Sequence, residues 1–186
     1  MIYNFDMNKY LYAVVLTFPE DITDELENLR KQYNKSAYEI VPHITLKMPF
    51  SLSTDLPRVI KTLDNVSFKT KEFDVEMNGL GYFENSINGV IYVALKDAVE
   101  TSSLHKQIVF GLKDYIKDIE EPKFELDNYI PHATIGERIP KKDVEQCKLE
   151  LSNYNPRYKI RINSFSLFSS KDNHKWQLVK KFNLQQ

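Results

Sequence analysis

Two periods of apolar residues run through this chain. Tyr10 to Leu16 is an almost unbroken run of β-branched, aromatic and aliphatic residues, which predicts a buried strand. Pro19 closes it and opens a helix, in which Ile22, Leu26, Leu29 and Tyr33 recur as one apolar stripe. Residues 41–48 read as a short strand entered through a proline. Asp55 to Leu63 predicts a short helix, with Leu56, Ile60 and Leu63 on one side. Lys69 to Leu80 then alternates, with Phe73, Val75 and Met77 sharing a face, as a half-buried strand does. The run Gly79-Leu80-Gly81-Tyr82-Phe83 interrupts the alternation, and Glu84 to Gly89 reads as a loop.

From Val90 the pattern begins again. Val90 to Leu95 has the character of the first strand, and Asp97 with Glu100 fits a capping box. Leu104, Ile108, Leu112 and Tyr115 give the next helical stripe. Lys117 to Asn128 is acidic and irregular, and residues 130–136 read as a second proline-entered strand. Pro140 opens a helix with Val144, Cys147 and Leu151 on one face. Tyr158 to Phe168 predicts one strand, Lys171 to His174 a turn, and Trp176, Leu178 and Phe182 a last strand. Met1 to Lys9 reads as a loosely held polar arm.

Strand, helix, strand, helix, strand therefore occurs twice, with one closing strand and no linker between the halves. The expected fold is α+β: a single bilobal domain over residues 1–186, with pseudo-repeat halves at about 10–80 and 88–183. Two mainly antiparallel sheets would carry helices outside and enclose a central cleft. Pseudo-twofold symmetry would set equivalent strands side by side across it.

Composition narrows what such a cleft serves. A chain of 186 residues, 42% hydrophobic and 27% charged, is ordinary for a soluble globular protein. A net charge of −1 and no basic stripe argue against long duplex nucleic acid as a partner. Cys147 is the one cysteine, which excludes an intrachain disulfide and fits a reducing cytosol. The apolar run Leu11 to Leu16 is too short for a membrane span and lacks the flanks of a signal peptide. A cytoplasmic monomer without membrane contact is expected.

The chemistry lies in the third element of each half. Pro42-His43-Ile44-Thr45-Leu46 and Pro131-His132-Ala133-Thr134-Ile135 share a Pro-His-x-Thr frame and hold two of the four histidines in the chain. Residues i and i+2 of a strand share a face, so each frame offers one imidazole beside one hydroxyl. Two such strands facing each other suit in-line chemistry at phosphorus. One imidazole takes a proton from the attacking oxygen and the other gives one to the leaving oxygen, while Thr45 and Thr134 bind the non-bridging oxygens. Lys47, two residues past Thr45, could add a fixed positive charge for phosphate. Tyr82 and Phe83 at the junction of the halves, and Tyr129 before the second frame, could stack on a base. His105 falls one step off a helical stripe and is expected at the surface; His174 falls in a turn. Neither frame carries a second histidine or a carboxylate at ligand spacing, so no metal or other cofactor is expected.

The paired frames resemble those of the 2H phosphoesterase superfamily, which includes the so-called 2′-5′ RNA ligases and cyclic nucleotide phosphodiesterases. The run Ile40 to Phe50 is most similar to the bacterial YjcG-like branch. The resemblance extends from about Tyr10 to the Trp176 strand and implies a LigT-like bilobal fold. It implies metal-independent hydrolysis of 2′,3′-cyclic or 2′-5′-linked phosphates of small nucleotides or RNA ends, with His43 and His132 as the acid–base pair and Thr45 and Thr134 on phosphate. For ring opening, His132 is favoured as the group that activates water and His43 as the donor to the leaving oxygen. Hydrolysis of 2′-5′ oligoadenylate or cyclic oligonucleotide signals, and a non-catalytic module that holds a nucleotide or RNA end, use the same residues.

Overall fold

The computed structural model describes residues 10–34, 39–119 and 123–186. The polar arm expected over residues 1–9 lies outside them. In chain order the elements are β1 (Leu11–Thr17), α1 (Glu20–Tyr33), β2 (His43–Leu52), α2 (Leu56–Lys69), β3 (Phe73–Glu84) and β4 (Asn88–Leu95). There follow α3 (Val99–Leu112), β5 (Ile116–Asp118), β6 (His132–Pro140), α4 (Lys141–Glu150), β7 (Arg157–Ile162), β8 (Ser164–Ser170) and β9 (Gln177–Asn183).

The sequence patterns that place these elements also show where they stop. Asp55 caps α2, its carboxylate accepting from the Arg58 N–H at 3.0 Å, and Leu56 with Pro57 begins the first turn. That helix runs on to Lys69, beyond the Leu63 limit of the simple stripe. The capping box expected at Asp97 is not formed. Ala98 is the cap residue of α3, and Asp97 accepts only from the Val99 N–H at 3.1 Å. The strand expected over 158–168 is two strands, because Asn163 breaks it.

All named strands join one antiparallel sheet in the order β7-β3-β4-β6-β2-β1-β8-β9, with β5 paired to β2. Only Asn163 separates β7, at one end of this path, from β8, next to the other end. A flat sheet cannot satisfy that connection, so the sheet curls until its ends approach. Bonds from Leu184 N–H to Asn163 O (2.8 Å) and from Gln185 N–H to Thr70 O (2.9 Å) tie them.

The two His-frame strands lie at the centre of the path, and β2 meets β6 at one pair, Ile44 with Ala133. On either side stands a four-strand half, β7-β3-β4-β6 or β2-β1-β8-β9. Neither is built from one half of the chain. β3, from the N-terminal half, pairs with β4 and β7 of the C-terminal half, while β8 of the C-terminal half pairs with β1 of the N-terminal half. The helices cross over in the same way: α1 packs on β6 and α3 on β2. Ile44, Leu46, Ala133 and Ile135 are buried on the helix side with Leu26, Leu104 and Ile108, which fixes the opposite side of both frames as the open one.

Candidate active site

In an antiparallel pair, residue i−1 of one strand lies against j+1 of the other. Pairing at Ile44 and Ala133 therefore sets His43 alongside Thr134 and Thr45 alongside His132, all four on the face away from the core. The seam brings together both predicted imidazoles and both predicted hydroxyls in a diagonal arrangement, each half-buried.

Each imidazole is oriented by its own frame. The His43 Nδ1–H donates to Val41 O at 2.8 Å, and the His132 Nδ1–H donates to Ile130 O at 2.6 Å. A carbonyl can only accept, so the proton is on Nδ1 in both rings and Nε2 keeps its lone pair. Proline explains the match: Val41 and Ile130 each precede one, which restricts them to extended backbone and aims the carbonyl at the ring two residues on.

Burial lowers both pKa values. For His43 the Arg30 guanidinium and the charge of His132 add to burial and outweigh the Val41 hydrogen bond, taking it to about 4. For His132 burial is the one lowering cause, opposed by the Ile130 bond. That His43 responds to His132 at all means the two imidazoles are electrostatic neighbours. Both are neutral near pH 7.

Beside His132 stands a small aromatic wall. Phe83 meets its ring edge-on at 5.1 Å, Tyr92 lies tilted at 4.9 Å, and Phe83 and Tyr92 stack at 4.3 Å. Tyr92 pairs across strands with both Gly81 and Thr134. A Cβ on Gly81 would come within 2.3 Å of the Tyr92 ring, so glycine is what allows the ring to lie there. Tyr92 was not among the expected residues. Its signal is the step of two from Val90 to Tyr92 to Ala94, opposite a glycine.

Of the expected aromatics, only Phe83 belongs to this wall. Gly79, at φ 75°, accompanies a register shift between Met77 and Leu80, and after it the odd positions of β3 face the cleft. Tyr82 is consequently turned towards α4, where Lys148 sits 5.3 Å from its ring centre. Tyr129 is also no stacking platform. Its ring lies flat on His105 at 3.8 Å, and its hydroxyl donates to Thr45 O at 2.7 Å.

Lys47 is corrected too. Register shifts around Val14 in β1 show bulges in β2, so the alternation from Thr45 does not reach Lys47. Its ammonium is buried with Glu125 at 2.7 Å and Asp118, and so binds carboxylates. His105 is buried, not at the surface. Thr101, His105, Ile108 and Leu112 form a second ridge at helical spacing beside the Leu104 stripe, and all four are buried. His174 stays in its turn, its backbone N–H donating to Asp172 at 2.9 Å. Among the described residues no group of three or more His, Cys, Asp or Glu is placed to hold a metal ion, and no helix is long and apolar enough to cross a membrane.

A curled antiparallel sheet with four helices packed against it, among the described residues, is the fold of LigT-like 2H phosphoesterases. The chain belongs to the 2′-5′ RNA ligase superfamily, whose family model matches residues 18–174. It is 27% identical over 172 residues to a Bacillus cytotoxicus protein named provisionally as a phosphoesterase, covering 91% of this chain and 95% of that one. A provisionally named phosphoesterase of Bacillus licheniformis is 24% identical over 172 residues, with 92% and 96% covered. Escherichia coli LigT complexed with 3′-AMP has a similar fold at TM-score 0.62 and 12% identity, covering 96% of this chain and 99% of LigT. A Thermus thermophilus structure is similar at TM-score 0.59 and 15% identity, with 94% and 98% covered. Family and relatives together support a phosphoesterase.

Proposed function

We propose that this protein is a metal-independent phosphodiesterase of the YjcG-like branch, which hydrolyses 2′,3′-cyclic or 2′-5′-linked phosphodiesters of small nucleotides or RNA ends. One observation carries the reading: two imidazoles, each with its Nδ1–H fixed to a carbonyl, present free Nε2 atoms beside two threonines along one seam. In-line hydrolysis needs a base and an acid on opposite sides of phosphorus, and a twofold pair supplies both.

In the proposed cycle, His43 Nε2 takes a proton from water as its oxygen bonds to phosphorus. The bond to the 2′ or 3′ oxygen breaks, and that oxygen takes a proton from His132 Nε2, which becomes protonated from solvent when the anionic phosphate binds beside it. A phosphomonoester and a hydroxyl result. His43 is given the base role because Arg30 and His132 both oppose its protonation, whereas His132 is lowered by burial alone. This reverses the roles expected from the sequence. Thr45 and Thr134 donate to the non-bridging oxygens as charge grows there, and Phe83 with Tyr92 forms a wall for the sugar or base beside His132. That Escherichia coli LigT is known with bound 3′-AMP, a phosphomonoester of the kind ring opening yields, lends support.

The test is a product screen over 2′,3′-cyclic mononucleotides, cyclic-phosphate-ended RNA and 2′-5′-linked oligomers, with chelator present. Turnover by the wild type, lost in His43→Ala and in His132→Ala, is expected. Full activity in either variant refutes the scheme.

A further inference from the structure

The repeat supplies an internal reference: whatever packing alone requires should recur in both halves. Three polar positions, two of them buried and one half-buried, break that symmetry, and all three lie in or against the strand of the first frame. α1 and α3 each have 14 residues, and the seventh is Leu26 in the first and His105 in the second. Three residues before the frame histidine the chain has Ile40 in one half and Tyr129 in the other; four residues after it stand Lys47 and Gly136. The fold therefore accepts apolar or absent side chains at each of these places.

His105, Tyr129 and Lys47 form one connected device. The His105 Nδ1–H donates to Leu46 O at 2.6 Å, while its Nε2 accepts the Leu126 N–H at 2.8 Å. Tyr129 stacks on His105 and donates to Thr45 O, the neighbouring carbonyl of the same strand. Glu125, next to Leu126, pairs with Lys47 of that strand. Leu126 has φ 55°, a left-handed conformation uncommon for a residue with a branched side chain, and its N–H is the one His105 holds. Glu125, Leu126 and Tyr129 all lie in the segment that runs into Pro131-His132. The device thus joins the backbone of the first frame to the lead-in of the second, although β2 and β6 themselves meet at only one residue pair.

We propose that His105 and Tyr129 are positioning residues, which set the spacing of the two His-x-Thr frames by fastening the segment before His132 to the Thr45 and Leu46 carbonyls. They touch no reacting atom. The proposal rests on the two-histidine phosphodiesterase reading for its kinetic consequence, and its test has a second readout that does not. Charged groups facing His105 are Glu125 from the segment, Lys47 from β2 and Lys106 from its own helix. Burial dominates them and keeps the ring neutral, as an acceptor at Nε2 requires.

The experiment compares full-length wild type with Tyr129→Phe, His105→Ala, His105→Asn and a control, Lys106→Ala. The control removes an exposed ion pair to Asp127 that joins the same segment to α3 without reaching β2. Measured are kcat and KM on a 2′,3′-cyclic nucleotide, thermal midpoint, and the His43 titration midpoint by NMR. In Tyr129→Phe and His105→Ala, kcat should fall about tenfold or more with KM held within about twofold, because misplaced groups lose rate before affinity. The His43 midpoint should rise from about 4 towards the ordinary histidine value as the site opens to water. His105→Asn, which keeps a donor for Leu46 O, should recover part of the rate, and Lys106→Ala should match wild type. Unchanged kcat in both Tyr129→Phe and His105→Ala overturns the proposal, even with a lowered thermal midpoint. If wild type turns over no substrate, the phosphodiesterase reading fails separately and the titration decides: an unmoved His43 midpoint overturns the positioning role, and a raised one supports it.

Discussion

Two imidazoles held neutral at pH 7 must acquire a proton before one of them can serve as an acid. An anionic phosphate between the Nε2 atoms favours the charged form of its neighbours, so it draws that proton in. Binding of inorganic phosphate at pH 7 should therefore take up protons, and affinity should weaken as pH rises from 6 to 8, by up to about tenfold per unit for one proton. Calorimetry in buffers of different ionisation enthalpy reads the uptake; binding with no proton linkage contradicts the charge states assigned to His43 and His132. The glycine under the aromatic wall offers a second residue-scale test. Gly81→Ala places a methyl where the Tyr92 ring lies, 2.3 Å from it, and should displace that ring from His132. Loss of kcat/KM on a cyclic nucleotide of about tenfold is expected from losing one stacking surface, with the thermal midpoint little changed because position 81 is half-buried. An unaltered kcat/KM would remove Tyr92 from the site.

Elements were legible in the sequence where a single period held, and failed where a bulge changed its phase. Phe73, Val75 and Met77 are all buried as their alternation predicts, but Gly79 exchanges the faces, so Phe83 and not Tyr82 reaches the cleft. The bulges in β2 likewise turn Lys47 from the Thr45 face into a buried ion pair. The glycines at 79 and 81 mark an interruption but not the phase in which the strand resumes, and the bulges in β2 carry no such mark, so neither change of face could be read from residue types. The frames themselves were legible because proline, histidine and threonine fix a local geometry that depends on two or three neighbours only. Lys47 yields an element-scale prediction. Glu125→Ala leaves a buried ammonium with the half-exposed Asp118 as its remaining carboxylate, and should destabilise the fold by about 3 kcal/mol in urea unfolding. Asp118→Ala should cost less than about 1 kcal/mol, since solvent already screens that partner. Equal effects would contradict the assignment of Glu125 as the principal partner.

At the scale of the whole molecule, the order of the elements was legible but the exchange of strands and helices between the two halves of the chain was not. Periodicity names β3 and β8 as strands, yet it carries no information about which half they join; the Asn163 break, which sends β7 and β8 to separate halves, is one polar residue inside an otherwise continuous run. Exchange makes the halves interdependent. A fragment ending at Glu84 would keep β1 and β2 but lose β8, and its β3 would lose both β4 and β7. It should show no cooperative thermal transition by circular dichroism, whereas the full chain should unfold in one; a cooperative transition in the fragment would mean the N-terminal half is autonomous. The same interdependence places each His-x-Thr frame under a helix from the opposite half of the chain, which is how His105 reaches β2 and why the proposed site belongs to the central seam and not to either half. The most direct measurement is a double-mutant cycle on hydrolysis of a 2′,3′-cyclic nucleotide, with His43→Ala, His132→Ala and the double variant assayed in chelator. If the two imidazoles work as one acid–base unit, each single substitution costs as much kcat as both together. Additive losses, or turnover surviving either substitution, would contradict the account.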